Sequence, residues 1–327
     1  MKTRLLGTLL VLCASAASAQ LYYQPTSTLK KGIIPLVGSV DGLNGSHFKT
    51  SLRIEAIAGA HGRIVFHPMG TIARDSDPSM VYAFPEGIHP VTDFIQFDDV
   101  VAAMGQRGLG SLDIIPDFNG GNFLPDVLTR VYNDTPNGTF GSDVQMVLPR
   151  DYFFDLYNRQ PALRTGLITW GGRTVVRSMG PQYRRNVGFR TLSRVQMVAT
   201  IMRSDGKQIT SKIFGFPGEY STMMSIDQFV SLFFNGEQTV GPADAVHIDA
   251  FNGAAIVFYT YTDNRTNDPA LVVSPGSQVN VMLLKKIYGC AKLSDYRKTV
   301  TPQAKKRARS RYSTVSKAAV SKKQQAR

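Results

Sequence analysis

Residues Arg130–Phe140 read RVYNDTPNGTF, and 129 residues further on Tyr259–Pro269 read YTYTDNRTNDP. In that register Tyr132 meets Tyr261 and Asp134 meets Asp263, and in both places a strand-like run enters a turn rich in Asn, Asp, Pro or Gly. The same shift lays Phe97-Asp98-Asp99-Val100-Val101 on Ile226-Asp227-Gln228-Phe229-Val230. Two blocks in one register predict a duplicated unit, and self-similarity at a fixed period constrains the fold before any single element does.

Outward from this stretch the chain is short apolar runs broken by turn residues. Phe48, Thr50, Leu52 and Ile54 alternate with Lys49, Ser51, Arg53 and Glu55, the period of a strand with one buried face. Arg63 to Phe66, Val91 to Val101 (with one helical turn), Leu112 to Ile115, Val127 to Tyr132 and Val144 to Leu148 complete a first β unit. In the second half Tyr183, Arg185, Val187 and Phe189 repeat the alternation. Val195 to Met202 and Gln208 to Phe214 flank Ser204-Asp205-Gly206-Lys207, where Asp-Gly predicts a type I′ hairpin turn. Ser225 to Phe234, Ala245 to Ala250, Ala255 to Thr262 and Val279 to Leu284 read as further strands. Arg150 to Gly180, with Trp170, either links the units or supplies the first strand of the second; the strand-like Gly166–Trp170 favours the second role. Short strands with turn signals every 8–12 residues are the composition of a sandwich. The expectation is an all-β chain of two tandem β-sandwiches: 33–149 and 150–288 after a leader at 20–32, with a disordered basic tail at 289–327.

The Phe-Lys-Thr-x-Leu and Tyr-Arg-Arg-Asn-Val-Gly-Phe openings, the Asp-Gly hairpin and the closing Tyr-x-Asp-x-x-x-Gly/Asn turn resemble a tandem unit of secreted and surface proteins of environmental bacteria. The resemblance spans roughly residues 33–287 and implies an immunoglobulin-like architecture used for surface binding or assembly. It implies no catalytic residue. The first copy departs from it through insertions at Gly70 to His89 and Asn119 to Pro125.

Residues 1–19 have a basic start at Lys2 and Arg4, an apolar Leu5–Leu12 and a small-residue Ala17-Ser18-Ala19, the three parts of a signal peptide. A buried N-terminal helix and a lipoprotein cut at Cys13 are the competing readings, the second opposed by bulky Leu12. No later stretch is apolar over the ~18 residues a membrane helix needs, so the expected location is secreted: periplasmic, cell-surface or extracellular. Loss of Cys13 leaves Cys290, and the sandwiches must rest on their cores rather than on disulfides. The sequons at Asn44, Asn133, Asn137 and Asn264 matter only in a host that glycosylates them.

Charge is uneven. Residues 285–327 hold 14 Lys and Arg against one acid, Asp295, a net +13 that equals the whole chain's. Without Lys2 and Arg4 the body has 21 basic and 23 acidic residues, so the high isoelectric point belongs to the tail. Lys305, Lys306, Arg307, Arg309, Arg311, Lys322 and Lys323 lie among Ala, Ser, Thr and Gln, too little apolar surface to repay ordering. The tail reads as an inert solvated end, as a tether to an anionic polymer (lipopolysaccharide, acidic polysaccharide or DNA), or as a nucleic-acid element. Tyr296 and Tyr312 form a thin stacking platform for the last.

Catalytic and metal signatures are sparse. His47, His61, His67, His89 and His247 show no HxxxH or HxH spacing, no Cys pairing and no Gly-x-Ser-x-Gly elbow accompanies them, and no cofactor is implied. Asp134, Asp263 and Asp268 are the calcium candidates, because Ca²⁺ takes carboxylate and carbonyl oxygens; the rival is an Asx-turn, in which the side chain bonds nearby backbone. The expected function is non-enzymatic binding or scaffolding at the cell surface or matrix, with an unknown protein or glycan met by the sandwich loops. The alternative is a carbohydrate-active or other hydrolase in which first-copy loops bring His67, Asp75 and Asp99 together.

Overall fold

The computed structural model describes residues 31–42, 45–55, 59–86, 93–117, 124–135, 138–148, 169–171, 173–177, 180–251 and 253–273. The expected signal peptide, Cys290 and the basic tail lie outside the described residues.

The fold is all-β, two tandem sandwiches built on one pairing plan. In the first unit β1 (Gly32–Asp41), β3 (His61–Pro68), β4 (Ser79–Ala83) and β6 (Gly108–Pro116) form one layer in the order β4-β3-β6-β1. The other layer contains β2 (His47–Glu55), β5 (Phe94–Phe97), β7 (Val127–Thr135) and β8 (Gly138–Asp143), with β2 at the side of both β5 and β7. In the second unit β10 (Arg173–Arg177), β16 (Ala245–Phe251), β12 (Val195–Met202) and β13 (Gln208–Thr210) form a layer, with β14 (Phe214–Phe216) also on β12. The opposing layer runs β15 (Ser221–Ser225), β11 (Tyr183–Thr191), β17 (Gly253–Asp263), β18 (Pro269–Val273), and β9 (Thr169–Gly171) pairs parallel to β17. The consecutive strands β6 and β7 thus lie in opposite layers, as do β16 and β17.

The alternation of β2 places Thr50, Leu52 and Ile54 inward and buried, where they meet Ile64, Phe66, Leu112, Ile114 and Val131 in the first core. In the second core Val187 and Phe189 of β11 pack with Met197, Ala199, Ile248 and Val257. In β1, the ladder to β6 slips between Ile34 and Val37. Pro35 lies within that slip, and proline has no N–H to donate to a ladder. Beyond it, Val40 and Asp41 change partner to Phe48 and His47 of β2. One strand therefore stitches both layers of the first unit together. Buried Thr50 fastens the crossing: its Oγ1 accepts from the Gly38 N–H at 2.7 Å and donates to the Gly38 carbonyl at 2.9 Å.

Three sequence expectations change. Ile226–Phe233 is an α-helix, not a strand. Ser225 and Gln228 form a capping box at its start, and Ile226, Phe229 and Val230 turn one face to the core. This helix, α2, corresponds to the one-turn α1 (Val100–Ala103) capped by Asp99. Second, the hairpin at Ser204–Lys207 is not type I′. Gly206 has φ of 83°, and Asp205 is not among the residues of positive φ. Gly206 N–H bonds Arg203 carbonyl and Arg203 N–H bonds Lys207 carbonyl, a type I turn closed by a left-handed glycine.

Third, the 129-residue register fails in the strands. Leu52 and Ile54 lie opposite Thr129 and Val127, while Val187 and Phe189 lie opposite Tyr259 and Val257. Val127 therefore corresponds to Val257 and Val131 to Tyr261, one residue beyond the sequence match. A one-residue slip exchanges the faces of a strand. Tyr132 consequently points outward, its hydroxyl donating to the Asp98 carbonyl at 3.0 Å. Tyr261 lies on the inward side, buried, and donates to the Arg177 carbonyl at 2.8 Å.

Candidate functional site

The largest convergence of ionisable groups among the described residues lies where the units meet. In β6 the inward Leu112 and Ile114 leave Ser111 and Asp113 on the outward face, and β3 sets His67 directly opposite Ser111. In β11 the inward Phe189 leaves Arg190 outward. These outward faces are buried: Asp113 is 1% exposed, His67 4% and Arg190 0%.

Charges cross the junction in both directions. Lys31 Nζ, just ahead of β1, lies 2.5 Å from Asp113 Oδ2 and 3.1 Å from Glu219 Oε2 of the second unit. Arg190 Nη2 lies 2.7 Å from Glu219 Oε2 and 3.4 Å from Asp113 Oδ2 of the first unit. His67 stands between two carboxylates, Nδ1 at 2.6 Å from Asp77 Oδ2 and Nε2 at 3.0 Å from Asp113 Oδ2. The second contact is an ion-pair approach rather than an aligned hydrogen bond. Ser111 and Ser221 hydroxyls meet across the junction at 3.1 Å.

Burial alone would raise the Asp113 carboxyl; Arg190, Lys31 and His67 more than offset it and hold the group far below the usual carboxylate range. Burial opposes the Arg190 charge too, but Asp113 and Glu219 outweigh it and push its value up. A pair at this depth is weak evidence of stability, but removing one partner strands the other and costs about 3–5 kcal/mol.

Backbone bonds reinforce the charges. The loop after β3 runs beside the start of β15, where Gly70 N–H donates to the Ser221 carbonyl and Ala73 N–H to the Glu219 carbonyl, each at 2.7 Å. Ser221 N–H returns to the Thr71 carbonyl, and Ile72 bridges Tyr220. This loop begins the first-copy insertion at Gly70; it docks one unit on the other. A second contact lies at β8 and β18, where Leu271 N–H donates to Ser142 Oγ at 3.2 Å and Leu271 packs against the first core.

The hydrolase trio does not assemble. His67 is engaged with Asp77 and Asp113, Asp99 caps α1 by accepting from Ala102 N–H at 3.1 Å, and Asp75 is exposed in the docking loop. Of the other histidines, His47 pairs with Asp41 and His61 with Asp117 at the surface, and His89 lies outside the described residues.

The calcium candidates divide between the units. Asp134 sits on the first unit with Lys49 at 3.2 Å, whose ammonium is raised first by that hydrogen bond. Asp263 Oδ1 accepts from the N–H groups of Arg265 and Thr266 at 2.7 and 2.9 Å, an Asx-turn, and those bonds lower its carboxyl. Burial and the nearby Asp263 raise that of Asp268. Among the described residues no group of three or more His, Cys, Asp and Glu is placed to hold a metal ion.

No protein-family model and no curated protein matches the chain. Among solved structures it is similar to the BSP domain of a biofilm associated protein, with 10% identity and a TM-score of 0.17. The match covers 79% of this chain and 60% of that one, so the chain spans under two thirds of its length, and a likeness at this level carries no argument. No helix among the described residues is long and apolar enough to cross a membrane.

Proposed function

We propose that this chain is an exported, non-enzymatic binding or scaffolding protein of the cell surface or extracellular matrix. Its sandwiches, 33–149 and 150–288, act as one two-lobed body that meets a protein or glycan through its loops. The tail, 289–327, tethers that body to an anionic polymer through Lys305, Lys306, Arg307, Arg309, Arg311, Lys322 and Lys323.

One observation carries the reading: the buried cluster of Lys31, His67, Asp77, Asp113, Arg190 and Glu219 is used to join the units. Its groups are matched to one another, and His67, Asp113 and Arg190 at its centre are shielded from solvent, which suits architecture better than turnover. The tether follows from the net +13 of residues 285–327 against a near-neutral body. Attraction of that kind is insensitive to sequence and sensitive to salt, each neutralised phosphate of duplex DNA adding about 0.9 to the salt slope.

Retention on immobilised lipopolysaccharide, acidic polysaccharide and duplex DNA, measured across a salt series for the whole chain and for a chain lacking 291–327, tests the proposal. Deletion should abolish retention at moderate salt. Equal retention of the two chains removes the tether.

A further inference from the structure

We propose that one end of the second sandwich binds the carboxylate of an acidic sugar, through Arg185 of β11, Arg177 at the end of β10, and Tyr259 and Tyr261 of β17. The inference rests on the reading of the chain as a surface binding protein and names the glycan chemistry its second unit recognises. The pairing plan shared by the units locates the site. Thr50 lies opposite Val131 in the first unit, and Arg185 lies opposite Tyr261 in the second. In the first unit β1 runs on from β6 to pair with β2, and buried Thr50 fastens that crossing at Gly38. The counterpart of β1 is β10, which pairs only with β16 among the described strands and ends at Arg177. The end that β1 stitches across in the first unit thus carries an arginine and two tyrosines in the second.

The arginines there lack acidic partners. Arg185 shares the inward side of β11 with Val187 and Phe189, is partly covered, and has its Nη1 buried without a hydrogen-bond partner. Its neighbour Arg184 is fully engaged, the Nη atoms donating to Asn264 and Asn267 Oδ1 at 3.0 and 2.8 Å. Arg177 is exposed, and its carbonyl accepts from the Tyr261 hydroxyl. Burial, then Tyr259, raise the Tyr261 hydroxyl, while the charges of Arg185 and Arg177 act the other way, so both guanidiniums lie within electrostatic reach of one phenol. Asp263, further along β17, spends its Oδ1 on the N–H groups of Arg265 and Thr266. Among the described residues no carboxylate pairs with Arg177 or Arg185. A buried N–H without an acceptor carries a desolvation cost that an incoming acceptor removes.

A planar guanidinium matches a carboxylate bidentately, which sets the charge of the occupant. The tyrosines set its shape. The Tyr259 and Tyr261 rings stand 5.4 Å apart at 80°, a corner of electron-rich faces suited to the polarised C–H groups of a pyranose. An acidic peptide fits less well. β11 and β17 are interior strands of their layer, so neither offers a free edge to an extended backbone.

The test uses the full chain with trigalacturonate, the neutral galactose trisaccharide and triglutamate as probes. Calorimetry gives affinities for the parent, for Arg185→Met, and for a chain with the Lys and Arg residues of 305–323 replaced by serine. We expect trigalacturonate to bind the parent more tightly than the other probes do. Arg185→Met should weaken it by about tenfold or more, the scale of a lost hydrogen bond to a charged group, and the tail variant should match the parent. Equal affinity for the neutral trisaccharide or for triglutamate, or no binding of trigalacturonate, overturns the proposal. Binding kept in Arg185→Met and lost in the tail variant also overturns it, and leaves the tether standing on its own retention test. Should Arg185→Met fail to fold, Arg177→Gln, at an exposed position, decides: a comparable loss supports the site and unchanged affinity defeats it.

Discussion

Arg190 Nη2 donates to Glu219 Oε2 at 2.7 Å, and Glu219 holds that position from a left-handed backbone with φ of 54°. Such a conformation costs an ordinary L-residue about 1–2 kcal/mol, and glycine would adopt it freely. A glutamate stands there because its carboxylate also reaches Lys31 across the junction.

Replacing Glu219 by glycine sets these terms against each other. Relief of the backbone returns about 1 kcal/mol, while Arg190 and Lys31 are left to share Asp113. Breaking a buried pair costs about 3–5 kcal/mol, discounted here because Glu219 is partly exposed, so the net loss should be about 1–2 kcal/mol. Urea denaturation should show a lower midpoint with an unchanged slope. A Glu219→Gly chain more stable than the parent would mean that strain outweighs the pairing.

Asp113 predicts the acid limit of the junction. Its folded carboxyl is held well below the unfolded value, so it contributes stability that is fully present above the unfolded value near pH 4. That contribution falls away as pH drops below it towards the folded value. Urea midpoints at about pH 2, about pH 4 and about pH 7 should therefore decline steeply only at the most acid point. Asp113→Asn should be less stable at neutral pH and should flatten the decline. An equally steep acid decline in Asp113→Asn would place the titrating group elsewhere.

Gly188 lies opposite Phe258 in the β11–β17 ladder, and a Cβ at Gly188 would run into the Phe258 ring. Both residues belong to a buried face, where overpacking costs about 1–3 kcal/mol. Gly188→Val should lower stability by that amount, and the loss should be smaller when the same change is made in a Phe258→Ala background. An equal loss in both backgrounds would show that the glycine answers to the backbone rather than to the ring.

The sandwich plan was legible because β2 alternates cleanly and Asp-Gly punctuates β12 and β13. The register of the duplication was not, because Ala255 to Phe258 are all buried and erase the alternation that would have fixed which face Tyr261 takes. Helix α2 read as a strand because its apolar run is short, although Ser225-x-x-Gln228 ahead of it was an available capping signal. The ion cluster at the junction was invisible for a different reason. Lys31 and Glu219 meet across 188 residues, and no local spacing encodes a contact that only the docking of two folded units creates.

The docking loop yields the last prediction. Ala73 N–H donates to Glu219, and Ile72 bridges Tyr220, so the insertion behaves as a short strand added to the second unit. Proline at position 73 removes that donor, and glycine at position 72 weakens the extended conformation. Neither residue belongs to a core cluster, so each sandwich should still fold. In the parent, coupling through the ion cluster and this loop should give one cooperative thermal transition. In Ile72→Gly/Ala73→Pro it should split into two, since units that no longer share an interface unfold independently. Calorimetry of both chains decides the matter: a single transition at a lower temperature in the variant would mean that the ion pairs and the Leu271 contact couple the units without the loop.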